Sequence, residues 1–562
     1  MRPLHCLLSF VCFLVVMAAA CRGTPELARM AAMGRAQDLR PGAPVVARPA
    51  GRPTFLVIGI DGMKRKVLYD LLQTGALPGL TALLGGRSPD GGLAHAHLDR
   101  SMLAGLPAIT IVGWSSIFTG VAPAVHGVTG NEFFIREERR FAAPLPGTFE
   151  DPKPALATYT ESYVNDLLQA PTLYERLRQT DPGMTMWVSV NQCFRGADRL
   201  LIAQRRAIVG KVYASAKSRV EWESFGRYEE RDHEVLRNVI HELENDDHAV
   251  PDLLTLYVSG TDGYAHVAPE GPDDALRRML TGDLDASFGR LADALDRRGA
   301  LRDRYVVLVA DHGHSPVLED GSTLLGTSPE SAPGPLTAAG FRIRPFRLDV
   351  DADDDFQSVL AYQGPLAYVY LADRSTCPRP GERCHWTRPP RFDADVLPVA
   401  EAYYQAGRTG RSAPALRGAI DLVLTRRPRP YAENDLPFEI YVGHGKLVPL
   451  GNYLRRHPRR DWVAVESRLR ELAVGRYGER AGDVVLLAKN GDGDGPAGRY
   501  YFNGSAQRSV HGSPSRQDSE VPLIVANRSR SAEELRMATT SVLGKRSFVR
   551  QVTDLVLRLD EE

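Results

Sequence analysis

The feature that most constrains this chain is a set of short apolar runs that each end in an aspartate or a histidine. They read FLVIGIDG at residues 55–62, LLTLYVSGTDGYAH at 253–266 and YVVLVADHG at 305–313. Helical patterns at 171–179, 230–245 and 274–298 alternate with the apolar runs, and this alternation predicts a mainly parallel sheet covered on both faces. Functional groups of such a sheet lie at the carboxyl ends of its strands. The sequence therefore predicts an α/β fold with one site at that edge.

Seven polar residues could form one inorganic site there. Three carboxylates and three imidazoles suffice for two divalent cations, and one hydroxyl remains as a nucleophile. Such ligand sets suit Zn²⁺ or a similar borderline ion. Two divalent ions are therefore expected, with Zn²⁺ as the favoured metal. Taken singly, each residue is as well explained by a turn or a local hydrogen bond, and only the set favours a site. The seven are Asp61, Thr110, Asp262, His266, Asp311, His312 and His511.

At these residues the chain resembles the alkaline phosphatase superfamily, and most closely its type I phosphodiesterase/nucleotide pyrophosphatase family. That family has a threonine nine residues before a Thr-Gly-x-x-Pro-x-x-His-Gly turn, followed by Asp-x-x-x-His, Asp-His-Gly and a late His-Gly. The turn here is residues 119–127, which places the nucleophile at Thr110. The resemblance implies an alkaline-phosphatase-like three-layer sandwich and a metal-dependent phosphodiesterase or phosphatase.

The resemblance also implies a role for each residue. One ion would be held by Asp61, Thr110, Asp311 and His312, and the other by Asp262, His266 and His511. Asn131 would donate its side-chain amide to a phosphate oxygen. His314 and His444 could approach the ions as well, and the sequence places neither.

The chain departs from the family beside the nucleophile. Residues 111–114 read Ile-Val-Gly-Trp where the family commonly has Phe-Pro-Asn-His, so the aromatic that helps to stack a nucleobase is missing. Ser101, Ser115 and Ser116 are rival hydroxyls. For the last two, a helix should begin at residues 113–118, where serines cap the first free N–H groups. An apolar wall for a leaving group could come from Trp114, Phe133 or Phe134.

The expected reaction is in-line attack by Thr110 on phosphorus, followed by hydrolysis of a phospho-threonine intermediate. Phosphodiesters or pyrophosphates are the expected substrates. A Thr-nucleophile phosphomonoesterase remains an alternative, because Lys217-Ser218-Arg219 matches the spacing of a Lys-x-Arg pair found in such enzymes, although an exposed basic turn also explains it. A cofactor-independent phosphomutase is a further enzymatic alternative. It is disfavoured because its phosphosugar or phosphoglycerate substrates are cytosolic, whereas the N-terminal segment described next predicts export. A surface binding lipoprotein that kept the fold is the non-enzyme alternative.

The first 20 residues have the pattern of a signal peptide, with an apolar run and small residues directly before Cys21. This resembles a bacterial lipobox, so we expect export to the periplasm or cell envelope with Cys21 lipidated; simple cleavage after Ala20 is the alternative. Residues 21–53, rich in Ala, Arg, Pro and Gly, predict a flexible tether. No later stretch approaches the ~20 apolar residues of a transmembrane helix.

A chain of 562 residues can bury more than one core. Residues 54–340 and 481–562 are assigned to the catalytic core and 341–480 to an inserted cap. Within the cap we predict strands at FRIRPF and LAYVYLA and helices at 396–406, 415–424 and 465–474, and after it a hairpin in AGDVVLLAKNGDGDGPAGRYYFN. Lys and Arg number 69, as do Asp and Glu, and no basic stripe indicates a nucleic-acid surface. A small phosphate ester is the expected partner, and the oligomeric state stays open.

Three cysteines follow the N-terminal segment. Cys377 and Cys384 bracket the loop CPRPGERC in a chain bound for an oxidising compartment, so we predict a disulfide between them. Cys193 should then be a free, buried thiol.

Overall fold

The computed structural model describes Arg29 and residues 33–42, 44, 46–89, 91–151, 153–202, 225–245, 247–350, 355–428 and 435–562. The predicted signal peptide, Cys21 and the triplet 217–219 lie outside the described residues. No helix in the described ranges combines the length and the apolar character that a bilayer crossing requires.

The larger sheet has eight strands, and its five central strands run parallel. In spatial order the strands are Ala36–Asp38, Arg199–Leu201, Met186–Ser189, Leu253–Val258, Thr54–Ile60, Arg304–Val309, Leu523–Ala526 and Ala96–Asp99. The three central apolar runs are buried along both faces, which is the pattern of strands covered by helices on either side. The prediction of an α/β fold with a mainly parallel sheet is therefore confirmed.

The flexible tether predicted at residues 21–53 is wrong in its second half. Ala36–Asp38 is an edge strand that pairs with Arg199–Leu201. Arg48 forms ion pairs with Asp181 and Asp252, which attach this segment to the body of the protein.

The predicted helices between these strands are present, with shifted ends. The helix predicted at 171–179 is Leu173–Thr180, whose first turn is closed by a capping box between Thr172 and Glu175. The one predicted at 230–245 is Phe225–Glu244. The third, predicted at 274–298, is two helices, Pro272–Met279 and Asp285–Arg297, joined by a π-helical turn. Further helices of this part of the chain are Arg65–Thr74, Pro78–Leu83, Thr110–Thr119, Lys153–Thr160, Ala532–Val542 and Gln551–Asp560.

A second sheet of six antiparallel strands lies between residues 358 and 488. Its order is Ser358–Gln363, Leu366–Leu371, Val484–Ala488, Ile420–Arg426, Phe438–Tyr441 and Leu447–Pro449. The helices Leu397–Thr409 and Val465–Ala473 confirm two of the three predicted in this region. The sheet reaches beyond residue 480, and the division into a core and a cap at 341–480 stays a prediction.

Three predictions in this region are wrong. Residues 415–424 are mostly strand rather than helix: Leu422 and Leu424 pack in one core and Val423 in another, which is the period-two pattern of a strand between two packed layers. The segment FRIRPF makes one isolated bridge, at Ile343, and no strand. The predicted hairpin is absent from the described residues, because Val484–Ala488 is a central strand of the second sheet and Tyr501–Phe502 pairs with Leu324–Leu325.

Both predictions about cysteines are confirmed. Cys377 and Cys384 form a disulfide. Cys193 is buried and is a free thiol in the described part of the chain.

Candidate metal centre

The three parallel central strands deliver most of the predicted residues to one edge. Asp61 directly follows the strand Thr54–Ile60, and Asp311 and His312 come soon after Arg304–Val309. The strand Leu253–Val258 leads into the short helix Gly260–Ala265, which carries Asp262 and ends at His266. Because these strands are neighbours and run parallel, their carboxyl ends meet.

The other two residues arrive from separate segments. Thr110 is the first residue of the helix Thr110–Thr119, so it lies at the positive end of the helix dipole. His511 follows the short strand Ser509–Val510, which pairs with Ser315–Pro316 just after His312. The structure therefore brings together residues that are far apart in the sequence. Asp61 and His511 are separated by 450 positions.

The first cluster is built around the Nε2 atom of His312. This atom lies 3.3 Å from Asp61 Oδ1, 3.3 Å from Asp311 Oδ2 and 3.2 Å from Thr110 Oγ1. All four residues are buried. Asp61, Asp311 and His312 form a group that could hold a metal ion.

The second cluster is built around the Oδ1 atom of Asp262. It lies 3.3 Å from His266 Nε2 and 3.5 Å from His511 Nε2, and those two nitrogens are 3.2 Å apart. The side chains of Asp262 and His266 are each 17% exposed, so the centre opens to solvent on this side. Asp262 Oδ1 is also 3.9 Å from His312 Nε2, which places the two clusters side by side.

Backbone carbonyls determine which nitrogen of each ring faces the centre. The Nδ1 atoms of His266, His312 and His511 lie 2.7, 3.0 and 3.1 Å from the carbonyl oxygens of Ser509, Gly313 and Ala108. A carbonyl only accepts, so each Nδ1 carries a hydrogen, and in the neutral ring that binds a metal each Nε2 presents a lone pair to the centre. The close approach of His266 Nε2 to His511 Nε2 is thus a contact between two lone pairs.

Three carboxylate oxygens also converge there without donors. Asp61 Oδ1, Asp262 Oδ1 and Asp311 Oδ2 are buried and have no hydrogen-bond partner among the described residues. Buried acceptors left unpaired are costly, and a cation placed among them removes that cost. Carboxylate oxygens beside neutral imidazole nitrogens are the donor set of zinc and similar divalent ions. The residues present therefore fit such ions.

The pKa values of these groups show how strongly burial and neighbouring charges act on them. Burial, the Asp61 carboxylate and other neighbours hold the pKa of Asp311 well above its usual value. Burial alone would lower the pKa of His312, but the carboxylates of Asp311 and Asp61 outweigh it and raise that pKa to about 10. Burial and the neighbouring His312 hold the pKa of His511 well below its usual value. Such strong shifts within one cleft are typical of functional sites.

Asn131 lies beside Thr110, and a hydrogen bond fixes the orientation of its side-chain amide. Its Oδ1 accepts a hydrogen bond of 3.0 Å from the backbone N–H of Ile111. Its own backbone N–H donates to Gln363 Oε1 at 2.8 Å, from the second sheet. Gln363 was missed by the sequence reasoning, and no motif singles it out.

Tyr257 is a second residue that sequence reasoning missed. Its hydroxyl donates to Asp61 Oδ2, and it accepts a 3.1 Å hydrogen bond from Gln192 Nε2. This contact leaves Asp61 Oδ1 to face the first cluster. A tyrosine inside a fully buried strand was the available signal, because a buried hydroxyl requires a polar partner.

Asp518, also missed, joins the two loops that carry the histidines. Its carboxylate accepts hydrogen bonds from the hydroxyl groups of Ser315 and Ser513 and from the Ser513 backbone N–H, and its carbonyl accepts from Gly313. The loops after His312 and His511 are thereby held at a fixed separation.

Of the two histidines that the sequence left unplaced, one reaches the centre. His314 is fully buried, and its Nε2 lies 3.2 Å from Asp262 Oδ1. His444 lies in an exposed turn, where its backbone N–H donates to Glu401.

The expectations about Ser115, Ser116 and the apolar wall need correction. The helix begins at Thr110 instead of at residues 113–118, so the serines lie inside it and cannot cap it. Ser116 bonds to His126, and both serines are buried. Trp114, Phe133 and Phe134 are fully buried in the cores, and the Trp114 ring packs over Gly59 of a central strand. These three aromatic residues therefore form no wall for a leaving group.

Comparisons with a family model and with a curated protein both identify similarity to pyrophosphatases and phosphodiesterases. A family model described as type I phosphodiesterase / nucleotide pyrophosphatase matches residues 55–373. An uncharacterized pyrophosphatase/phosphodiesterase of Schizosaccharomyces pombe is 22% identical over 277 residues, which are 48% of this chain and 46% of that protein. The chain thus matches about half the length of this curated relative.

Solved structures with a similar fold include two ectonucleotide pyrophosphatase/phosphodiesterase 5 proteins. The human protein is 13% identical with a TM-score of 0.49, and the match covers 90% of this chain and 95% of that chain. An inactive murine variant in complex with AMP is 12% identical with a TM-score of 0.45, and the match covers 91% and 95%.

Proposed function

Because the chain belongs to the type I phosphodiesterase / nucleotide pyrophosphatase family, we propose that it hydrolyses phosphodiester or pyrophosphate bonds with two divalent metal ions. Zn²⁺ is the metal that the ligand set favours. The observation that carries this proposal is the contact of 3.2 Å between Thr110 Oγ1 and His312 Nε2. It joins a hydroxyl to a buried cluster of unpaired oxygen and nitrogen acceptors, which is the surrounding that a metal-activated nucleophile requires.

We assign one ion to Asp61, Asp311, His312 and the Thr110 hydroxyl, and the other to Asp262, His266 and His511. The convergence of Asp61, Asp311 and His312 supports the first set. Distances of 3.2 to 3.5 Å among Asp262 Oδ1 and the Nε2 atoms of His266 and His511 support the second. When bound, such ions lower the pKa of a hydroxyl and offset negative charge on phosphate oxygens.

Thr110 is proposed to form a covalent intermediate. Its oxygen bonds to phosphorus as the bond from phosphorus to the leaving-group oxygen breaks, and its proton is lost to solvent. A water oxygen then bonds to phosphorus, the bond to Thr110 breaks and the Thr110 oxygen regains a proton. The start of the helix Thr110–Thr119 favours the negative charge that gathers there.

Asn131 is proposed to hold a non-bridging phosphate oxygen. Its oxygen is occupied by the Ile111 N–H, so only its NH₂ group can donate to the phosphate. A fixed donor of this kind stabilises charge as it redistributes in the transition state.

We predict that phosphodiesters are hydrolysed faster than phosphomonoesters. A monoester dianion has one more charged oxygen, and a missing charge-assisted hydrogen bond to it costs about 1.5–3 kcal/mol, or roughly tenfold or more in rate. Purified, zinc-loaded protein should therefore show a kcat/KM for p-nitrophenyl thymidine monophosphate at least about tenfold above that for p-nitrophenyl phosphate.

The same assay tests the alternatives. A higher kcat/KM for p-nitrophenyl phosphate, lost in Lys217→Ala and Arg219→Ala variants, would identify a monoesterase. No turnover of either substrate or of bis-p-nitrophenyl phosphate would favour a binding protein that kept the fold.

We further propose export with a lipid anchor at Cys21. We expect Cys21→Ser to move the protein from the membrane fraction to the soluble fraction of a bacterial host without changing kcat or KM, because Cys21 lies 15 positions before the first strand of the sheet, Ala36–Asp38, and far from the site residues in the sequence. Radiolabelled palmitate incorporated into the wild type alone would support the anchor. A wild type that takes up no label would instead support simple secretion after Ala20.

A further inference from the structure

His314 has no role in the ligand set assigned above, yet it points into the second cluster. It is fully buried, and its Nε2 atom lies 3.2 Å from Asp262 Oδ1. The rings of His266 and His511 surround it, with centroids 5.0 and 5.3 Å from its own.

The hydrogen bonds of Ser509 determine the tautomer of this ring. The Ser509 hydroxyl donates its one hydrogen to the carbonyl oxygen of Ala265, 2.7 Å away. Its contact of 3.1 Å with His314 Nδ1 must therefore be one in which the ring donates and the hydroxyl accepts. His314 Nδ1 then carries the hydrogen, and Nε2 presents a lone pair.

That lone pair faces another acceptor. Asp262 Oδ1 and His314 Nε2 are both buried, and neither has a hydrogen-bond partner in the described ranges, although they are 3.2 Å apart. The carboxylate oxygen can accept but cannot donate, and the same holds for the ring nitrogen in this tautomer. Two acceptors at this distance are stabilised by a cation that both can bind.

The separations match those of a single coordination shell. A tetrahedral zinc ion with ligands at about 2.0–2.1 Å holds its ligand atoms about 3.3–3.4 Å apart. Asp262 Oδ1 lies 3.2, 3.3 and 3.5 Å from the Nε2 atoms of the three histidines 314, 266 and 511, and the last two nitrogens are 3.2 Å apart.

We propose that His314 is a fourth protein ligand of the second ion, together with Asp262, His266 and His511. This inference rests on the proposed metal centre and extends it. With four protein ligands, the second ion would have as many as the ion on the Thr110 side, and a phosphate oxygen could join it as a fifth ligand, because catalytic zinc can expand to five-coordination.

Zinc binding by His314→Leu tests this proposal. Leucine keeps most of the ring volume and removes the donor. Metal-free wild type and variant are titrated with zinc in competition with a chromophoric chelator. The wild type should bind two ions, and the variant should bind one of them at least about 100-fold more weakly, since loss of even an outer partner of a ligand costs 10–100-fold.

His97→Leu is the matched control. His97 is half-buried on the edge strand Ala96–Asp99, and its Nε2 also has no hydrogen-bond partner within the described residues. It lies outside the centre, so zinc binding should be unchanged. Ser509→Ala should weaken the same ion about 10–100-fold, because it removes the hydroxyl that orients His314.

The outcomes separate the two proposals. If the wild type binds two ions and His314→Leu binds both with unchanged affinity, the fourth ligand is refuted and the metal centre stands. If the wild type binds less than one ion, the metal centre itself fails. Should His314→Leu not fold, a crystal structure of the zinc-loaded wild type decides: His314 Nε2 at about 2.0–2.1 Å from an ion supports the proposal, and a ring turned away overturns it.

Discussion

Replacing Thr110 with alanine should lower kcat by about three orders of magnitude or more while the protein keeps its zinc. The loss is large because the nucleophilic oxygen comes from this side chain alone, whereas the surrounding groups only position and polarise the substrate. The metal ions should remain because six other carboxylate and imidazole side chains converge on the two clusters. Steady-state rates on p-nitrophenyl thymidine monophosphate and elemental analysis of the same sample measure both effects.

Ser116→Ala is the matched control for this experiment. Ser116 lies on the same helix and is buried, but its hydroxyl bonds to His126 and not to the centre. Removal of the Ser116 hydroxyl should change the free energy of unfolding more than it changes kcat. Full activity in Thr110→Ala together with loss of activity in Ser116→Ala or Ser115→Ala would contradict the assignment of the nucleophile.

Removal of the metal ions should abolish activity altogether, and added Zn²⁺ should restore it. The centre contains three carboxylate oxygens without donors and three imidazole nitrogens that present lone pairs, so without a cation neither the Thr110 hydroxyl nor the phosphate charge is stabilised. Dialysis against a strong chelator, followed by titration with Zn²⁺ and with Mg²⁺, measures this dependence. Zn²⁺ should be the more effective, because hard cations such as Mg²⁺ prefer oxygen ligands.

The melting temperature provides an independent readout of the same event. An ion that binds only the folded state stabilises it, so the wild type should melt at a higher temperature with Zn²⁺ than without. Activity that persists after complete removal of metal would refute the role of the ions. So would a fully active preparation containing less than one zinc ion per chain.

The parts of the site that lie on the central strands could be predicted because their signals are local. An apolar run sets the strand, and the residue that follows it must emerge at the carboxyl edge, which fixes Asp61, Asp311 and His312 together. Asp262 and His266 are placed by a single helical turn. Thr110 and His511 have no such signal, and only the resemblance to a family connected them with the other five.

The second sheet was predicted poorly for a physical reason. Both faces of its central strands are buried, so segments such as IDLVLTR at 420–426 lack the polar alternation that marks a half-exposed strand. A short apolar run of this kind has no periodicity that separates it from a buried helix.

The residues that orient the site were also invisible in the sequence. Tyr257, Gln363 and Asp518 act through contacts with residues that are 196, 232 and 203 positions away in the sequence. Nothing in their own sequence surroundings marks these pairings. His314 differs, because it stands beside a recognisable ligand pair. The sequence still did not place it, because its orientation and tautomer depend on Ser509, which only the fold brings near.

The stereochemical course at phosphorus tests the central claim most directly. One configuration of thymidine p-nitrophenyl phosphorothioate is hydrolysed by the zinc-loaded protein in heavy-oxygen water, and the configuration of the thymidine phosphorothioate product is determined. Attack by Thr110 followed by attack by water inverts the configuration at phosphorus twice, so we expect net retention of configuration. Net inversion would mean that water displaces the leaving group directly, and it would contradict a covalent intermediate on Thr110.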